Sequence, residues 1–252
     1  MRTILIDGDI VLYEVTLACE TPIHWGDDLW TLHSDFREAT QRFDCWVADI
    51  KERLEATAVV IALSDDDNWR KSVLKTYKNN RKSKRKPLVF YELKKYCSEV
   101  YKSFQLPTLE ADDVLGLLAG TSAAGNSRLG YVSGEKVVVT IDKDLKTIPG
   151  LHFDPGNPDD GIYEVTQEQA DYNHLFQSLT GDLVDGYKGC PGVGPVKAAR
   201  ILEKDPCWAS VVAAYNEKGI SEEDALVQAR VARILRWGEY NMEKKETRLW
   251  NP

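Results

Sequence analysis

Leu179–Leu202 runs LTGDLVDGYKGCPGVGPVKAARIL. It reads as a helix, a tight turn and a second helix. Gly192-Val193-Gly194 supplies the turn, and Pro195 follows at the first helical position, where a missing N–H costs nothing. Ala198 lets that helix pack closely, and Ile201 and Leu202 continue an apolar side. Backbone N–H groups at the opening of such a helix converge on one spot and seat an anion. Lys197, one turn in, adds a point charge to the same place. The pattern is that of a helix-hairpin-helix, which grips a nucleic-acid backbone and reads no bases. The plainer alternative is a helix ended and restarted by glycines. Asp182 and Asp185 stand just before the turn, and carboxylates beside an anion seat call for cations between them.

Outward from this stretch, the 252 residues suffice for a full core, with room for a smaller lobe. The apolar and charged fractions are those of an ordinary globular protein. The five cysteines show no metal-ligand spacing, which points to a reducing, cytoplasmic setting. The opening MRTILIDGDIVLYEV carries acids inside its apolar run, so it reads as neither a signal peptide nor a membrane span. The formal net charge is -8. Nine acids fall in five short clusters, and the rest of the chain is about neutral, with a basic block at 78–86. Cations bound at the acids would stop that region repelling phosphate, so the overall charge does not exclude a nucleic-acid partner.

Arg2–Ile6 is a short apolar run ending at Asp7, and Ala58–Leu63 is a second, ending in Ser64-Asp65-Asp66-Asp67. Lys136–Ile141 is a third, ending in Asp142-Lys143-Asp144. Each reads as a buried parallel strand. Helical spacing covers Asp9–Cys19, Ser34–Thr57 and Leu88–Phe104, and Glu110-Ala111-Asp112-Asp113 opens an apolar helix. Residues 20–34 are an insertion of unread role, Gly120–Gly134 a loop, and shorter strands fall near Leu151–Phe153 and Ile162–Val165. From Thr166 the chain reads as helix to about Tyr240, then an irregular tail. The expected fold is α/β, with a central, mainly parallel sheet and flanking helices over 1–165. A helical part over 166–252 carries the hairpin. In such sheets the site lies beyond the carboxyl ends of the strands, where the three acidic ends would meet.

The candidate metal ligands are Asp7, Asp65, Glu110, Asp112, Asp113, Asp142, Asp144, Asp182 and Asp185. Crowded carboxylates must protonate or be neutralised, and hard divalent cations with oxygen ligands neutralise them. The count suits two ions, which together can activate a water and stabilise the leaving oxygen of a phosphodiester. The four histidines are scattered and read as structural or exposed. Lys78, Arg81, Lys82, Lys84, Arg85 and Lys86 follow the second acidic strand end and read as phosphate-binding, and Tyr77 as a platform for a terminal base.

LIDGD, ALSDDDNWR with YKNNR, EADD, TIDKDLKTIPG and GDLVDGYKGCPGVGP stand in that order over nearly the whole chain. In this the sequence resembles the flap endonuclease family of structure-specific 5′-nucleases, and most of all the 5′→3′ exonucleases of short-tailed phages. The resemblance implies a PIN-like nuclease core and two divalent cations, magnesium with manganese as the alternative, plus a monovalent cation at the hairpin. It places one metal on Asp7, Asp65, Glu110 and Asp112, and the second on Asp142, Asp144, Asp182 and Asp185. Asp113 matches a further acid of bacterial and phage members. Lys78 and Arg81 match residues that contact the scissile phosphate. With Asp7 and Asp112 they form the expected catalytic set, while Gly192, Gly194 and Lys197 hold DNA.

The implied substrate is duplex DNA with 5′ ends, nicks, gaps or short flaps, or an RNA–DNA hybrid, in phage replication or recombination. The span from Arg81 to Glu110 is short, which favours short flaps over long ones. Two other readings stay open. One is a phosphatase of the haloacid dehalogenase type, because Asp7 and Asp9 match its opening acids. The other is a DNA-binding module with no catalysis.

Overall fold

The computed structural model describes residues 1–81, 84–120 and 134–252. In chain order the elements begin with β1 (Arg2–Asp7), α1 (Gly8–Ala18), β2 (Thr21–His24), β3 (Trp30–His33), α2 (Phe36–Arg53) and β4 (Ala58–Leu63). Next come α3 (Arg70–Val73), α4 (Phe90–Val100), β5 (Ser103–Gln105), α5 (Ala111–Ala119), β6 (Glu135–Val139), β7 (Gly150–Phe153) and β8 (Ile162–Val165). Then follow α6 (Gln167–Thr180), α7 (Pro195–Lys204), α8 (Trp208–Asn216), α9 (Glu222–Ala232), β9 (Tyr240–Asn241) and β10 (Glu246–Thr247).

The main sheet has the order β5-β4-β1-β6-β7-β8. All its pairings are parallel except β7 with β8. The mainly parallel α/β sheet expected from the sequence is therefore present. The strand alternation builds a core on each face. Ile4, Ile6, Ile61, Leu63, Val137 and Val139 bury themselves with apolar residues of α1, α2 and α4. Leu5, Val60, Ala62 and Val138 face the other way, onto α5. Ile234, Leu235 and Tyr240 join that second face, so the segment after α9 returns to the sheet. A third apolar cluster joins α6, α7 and α8 and takes Ala225 from α9. In register, Ile6 pairs with Ile61 and with Val139, which sets the carboxyl ends of β4, β1 and β6 side by side. The acids following those strands thus arrive at one edge.

The structure corrects several expectations. The helical spacing over 88–104 ends at Val100, and Ser103–Gln105 is an edge strand beside β4. Residues 20–34 form an antiparallel hairpin, β2 with β3. The C-terminal part is not continuous helix: residues 233–239 are non-helical, and the tail holds the small β9–β10 ladder. The turn in Leu179–Leu202 is not tight either, because residues 181–194 all lie between α6 and α7. The sequence 121–133, inside the expected loop, falls outside the described residues.

Candidate active site

Asp7 ends β1 and caps α1, its carboxylate accepting from the Ile10 amide (3.4 Å) and from Thr140 Oγ1 (3.2 Å). It is buried, at 2% exposure. Burial first, then Asp9 and Asp142, push its carboxyl up to about 7. Asp112, in the first turn of α5, is held well above the carboxylate range by burial and by Asp7, Glu110 and Asp142. Asp144 is pushed up to about 6 by burial, Asp142, Asp182 and Asp185. These three groups carry more negative charge than their surroundings neutralise.

Glu110 and Asp185 are in the opposite condition. Lys78 Nζ donates to Glu110 Oε1 (2.5 Å) and lies 3.5 Å from Asp185 Oδ2, while Arg81 donates to Asp185 Oδ1. Tyr77 OH lies 2.9 Å from Glu110 Oε2 and 3.1 Å from Asp185 Oδ2, so one hydroxyl proton serves two carboxylates. Burial pushes Glu110 up, but Lys78 and Arg70 prevail and hold it at about 2. Burial likewise pulls the Lys78 ammonium down, and Glu110 and Asp185 raise it above the usual lysine range.

The turn that carries Asp182 and Asp185 is fixed by its own backbone. Asp182 and Tyr187 pair through both N–H···O=C bonds (2.9 and 3.0 Å), and Asp182 Oδ1 accepts from the Val184 amide (2.6 Å). Gly181 and Gly189 close its neck with φ of +65° and +64°; a Cβ on Gly181 would stand 2.4 Å from Gly189 N, so a side chain is excluded on both steric and conformational grounds. Asp142 caps the short turn of Lys143–Thr147 by accepting from the Asp144 amide (2.8 Å), and Gln177 Nε2 donates to Asp144 Oδ1 (2.9 Å).

The structure thus brings together Asp7, Glu110, Asp112, Asp142, Asp144, Asp182 and Asp185, with Lys78 and Arg81. It does not bring Asp113 to them. Both Asp113 oxygens are spent on the Arg70 guanidinium (2.7 Å each), and they also accept from Trp69 Nε1 (3.0 Å) and the Leu235 amide (3.1 Å). A carboxylate so saturated has no lone pair left for a metal. Asp65 also points elsewhere: its carboxylate accepts from the Thr108 amide (2.8 Å) and Gln105 (3.3 Å), and these bonds, against burial, lower its pKa.

Tyr77 is no base platform. It is 3% exposed, its ring packed with Tyr187, Val231 and Ala232. Arg85 is held by Glu20 through two bonds (2.6 and 2.7 Å), and Lys86 lies 4.5 Å from the Phe90 ring centroid. Lys84 is exposed, and Lys82 falls outside the described residues.

Gly192 takes φ +72°, and neither Gly192 nor Gly194 would meet protein atoms with a Cβ, so their backbone stands open. Lys197 Nζ folds back onto Gly192 O (2.9 Å). The histidines are structural or exposed as expected: His152 and His174 are buried against the carbonyls of Ile148 and Ala229.

Two residues, Thr140 and Arg70, escaped the sequence reading, and a third, Asp9, entered it only through the phosphatase alternative. Asp9, whose signal is the second acid of LIDGD, accepts from the Ser64 amide (3.2 Å). Thr140 joins Asp7 to the Asp142 amide (3.0 Å). Arg70 crosses from Asp113 to the carbonyls of Val231 (2.9 Å) and Arg233 (2.6 Å), and an arginine in a polar run carries no mark of such burial.

Among the described residues no three acids, histidines or cysteines converge as a ready-made metal cage. The donor set nevertheless fits hard divalent ions. It is all carboxylate, and at Asp112 and Asp144 burial and mutual repulsion outweigh the help of Lys78 and Lys143, while Asp7 is pushed up by burial, Asp9 and Asp142.

Residues 2–151 match the family model described as 5′-3′ exonuclease, N-terminal resolvase-like domain. The exonuclease of Escherichia phage T7 is 30% identical over 99% of this chain and 93% of its own length. The exodeoxyribonuclease of Enterobacteria phage T3 is 30% identical over 99% and 92%. Among solved structures, the flap endonuclease of bacteriophage T5, in a pseudo-enzyme-product complex with DNA and metal ions, shares the fold. Its TM-score is 0.67 at 14% identity, covering 92% of this chain and 89% of that one. The carboxylate edge, the basic pair on it and these relatives agree, and the chain belongs to the 5′–3′ exonuclease family.

Proposed function

We propose that this exonuclease hydrolyses phosphodiesters from the 5′ ends of duplex DNA by a two-metal route and releases 5′-phosphorylated mononucleotides and short oligonucleotides. The observation that carries the reading is the group Asp7, Asp112 and Asp144, three undercompensated carboxyls at one sheet edge. Asp7, Glu110 and Asp112 would hold one cation, and Asp142, Asp144, Asp182 and Asp185 the other. When bound, the pair supplies an activated water and charge for the leaving oxygen, with magnesium or manganese as the ion.

Lys78 and Arg81 would meet the scissile phosphate, leaving Glu110 and Asp185 to do so; their position at the edge of the carboxylate group supports this. Tyr77 keeps those two carboxylates in register. Lys84 extends the positive surface along the 5′ strand, while Arg85 is paired with Glu20. In the helical part, 166–252, the open backbone of Gly192 and Gly194 with Lys197 grips the duplex. Lys197 sits on the Gly192 carbonyl, where a monovalent cation would also be welcome. The T5 neighbour, captured with DNA and metal ions, supports this reading. Nicks, gaps, short flaps and RNA–DNA hybrids are further substrates. The setting is the host cytoplasm, in phage replication or recombination. No helix among the described residues is long and apolar enough to cross a membrane. The family match leaves no ground for the phosphatase or the non-catalytic reading.

The test is a time course on 5′- and 3′-labelled duplex with magnesium. Short labelled products from the 5′ end, abolished by EDTA, are expected; a ladder growing from the 3′ end, or full activity in EDTA, would overturn the reading.

A further inference from the structure

Leu183 and Val184 stand at the tip of the turn between Asp182 and Asp185, 79% and 60% exposed. Leu183 is the most exposed large apolar side chain among the described residues. Turn tips ordinarily carry glycine, asparagine, aspartate or serine, which suit the bend and its solvent. A single apolar side chain on a surface needs no explanation. Two in succession, set between two acids of the carboxylate edge, do.

The backbone under them is pinned from two sides. Asp182 Oδ1 accepts from the amides of Val184 (2.6 Å) and Asp185 (3.2 Å), and the Gly186 amide donates back to the Asp182 carbonyl (2.9 Å). From the other side, Asn80 Nδ2 donates to the Val184 carbonyl (3.1 Å), and the Lys78 amide donates to the Asp185 carbonyl (2.8 Å). A Cβ on Gly186 would stand 2.9 Å from the Thr76 carbonyl oxygen, so the turn lies directly on the segment that carries Lys78 and Arg81. Neither Leu183 nor Val184 joins an apolar cluster of the described residues. A rigid turn thus holds two aliphatic side chains in water, where they do nothing for the core. It holds them beside the cations proposed to meet the scissile phosphate and the acids proposed to hold the second metal.

We propose that Leu183 and Val184 make an apolar contact with the base and sugar of a nucleotide at the scissile phosphate and so hold that nucleotide still for the cut. The inference rests on the reading of the protein as a DNA nuclease. The location follows from covalent geometry. A phosphate engaged by Lys78 and Arg81 brings its own sugar and base onto the surface beside the carboxylate edge, and there this turn supplies apolar atoms. Aliphatic side chains serve in this way where bases are unstacked, with leucine and isoleucine wedged against the exposed face. The contact is tolerant of sequence, because every base offers such a face. It adds no charge, so unlike an ammonium or guanidinium contact it leaves the salt dependence of duplex binding unchanged.

The experiment uses Leu183→Ser with Val184→Thr, polar changes at exposed positions that should hold the melting temperature. Single-turnover cleavage of a 5′-labelled duplex, at saturating protein and magnesium, should slow about tenfold, the scale of one lost aliphatic contact. The salt slope of duplex affinity, read by anisotropy with calcium in place of magnesium, and the midpoint of the magnesium titration should stay as in the wild type. Leu183→Met, which keeps the apolar reach, should retain the rate. An abasic nucleotide is then moved along the first four positions. At one of them the wild type should slow toward the double variant, and the double variant should lose nothing more. An undiminished rate in the double variant, a shifted magnesium midpoint, a Leu183→Met rate as low as that of the double variant, or equal abasic penalties in both proteins at every position would overturn the proposal. A wild type that leaves duplex intact with magnesium would overturn the nuclease reading instead.

Discussion

Asp112 and Asp113 are neighbours in one helical turn, and their substitution by asparagine should have opposite effects on stability. Asp113 is fully buried and pairs with Arg70 through both oxygens, and Arg70 is itself 3% exposed. Asp113→Asn keeps the shape but leaves a buried guanidinium without its counter-charge, and an amide N–H₂ faces one arm of the fork. Breaking a buried pair on one side costs about 3–5 kcal/mol. At about 2–4 °C per kcal/mol for a chain of this size, the melting temperature should drop by roughly 6–20 °C. Asp112→Asn removes one of several mutually repelling carboxylates, so in EDTA near pH 8 it should hold or raise the melting temperature while activity falls by orders of magnitude. Calorimetry in EDTA reads the stability arm, and a magnesium titration followed by rate reads the other. An Asp113→Asn protein of wild-type stability with weakened magnesium dependence would refute the reasoning and return Asp113 to the metal site.

Lys78→Ala and Arg81→Ala should each lower turnover more than duplex affinity, because their charge is used where it develops on the phosphate; single-turnover rates beside anisotropy separate the two. Lys197→Ala should weaken duplex binding on every sequence alike and reduce the salt slope by about one, read by titration at several salt concentrations. In EDTA the melting temperature should fall between about pH 6.5 and pH 8. The folded-state carboxyl of Asp7, at about 7, lies above its value in the unfolded chain, so its stabilising protonated form is lost as pH rises through 7. His174 is held near 3 by burial and then by Arg233, and its opposing effect fades by about pH 7.5 and is smaller over this window than that of Asp7, so a net fall should be visible and magnesium should cancel it. A flat profile would refute the crowding of Asp7 and Asp112.

The acidic strand ends were legible because each is an apolar run that stops at a carboxylate, and a parallel sheet has one place to put such ends. The phase of each acid was not legible. Successive residues of a helix turn by about 100°, so one step along α5 separates Asp112, facing the group, from Asp113, facing Arg70. That division depends on Arg70, whose burial needs the Val231 and Arg233 carbonyls from the far end of the chain. Tyr77 reads as surface because it adjoins a basic block. Lys78, however, takes φ +51°, and its amide donates to the Asp185 carbonyl (2.8 Å), which anchors the lysine beside a tyrosine already buried against Val231. The hairpin over 21–33 escaped because its residues are nearly all exposed and leave no core-facing pattern, and Pro22 argues against a strand. Ser103–Gln105 is too short to show any period.

Charge compensation within the site explains how an acidic chain can serve an anionic polymer. Arg70, Lys78 and Arg81 stand among the carboxylates, with Lys143 beside Asp144, and the first three differ in how exposed they are. Arg70 is buried and bonded on all sides, so it is permanent structure. Lys78 and Arg81 are more open, their side chains 19% and 43% exposed, and each pairs with a carboxylate at the mouth. On the proposed reading they are the counter-ions that exchange. On the proposed reading, positive charge arriving at Asp7, Asp112 and Asp144 lowers the demand of the whole group for internal cations, and the two that can move turn to the phosphate. The same carboxylates that would repel DNA thus keep its two binding cations in place until metal is present. Duplex affinity should therefore depend on magnesium more steeply in the wild type than in a protein lacking both Lys78 and Arg81.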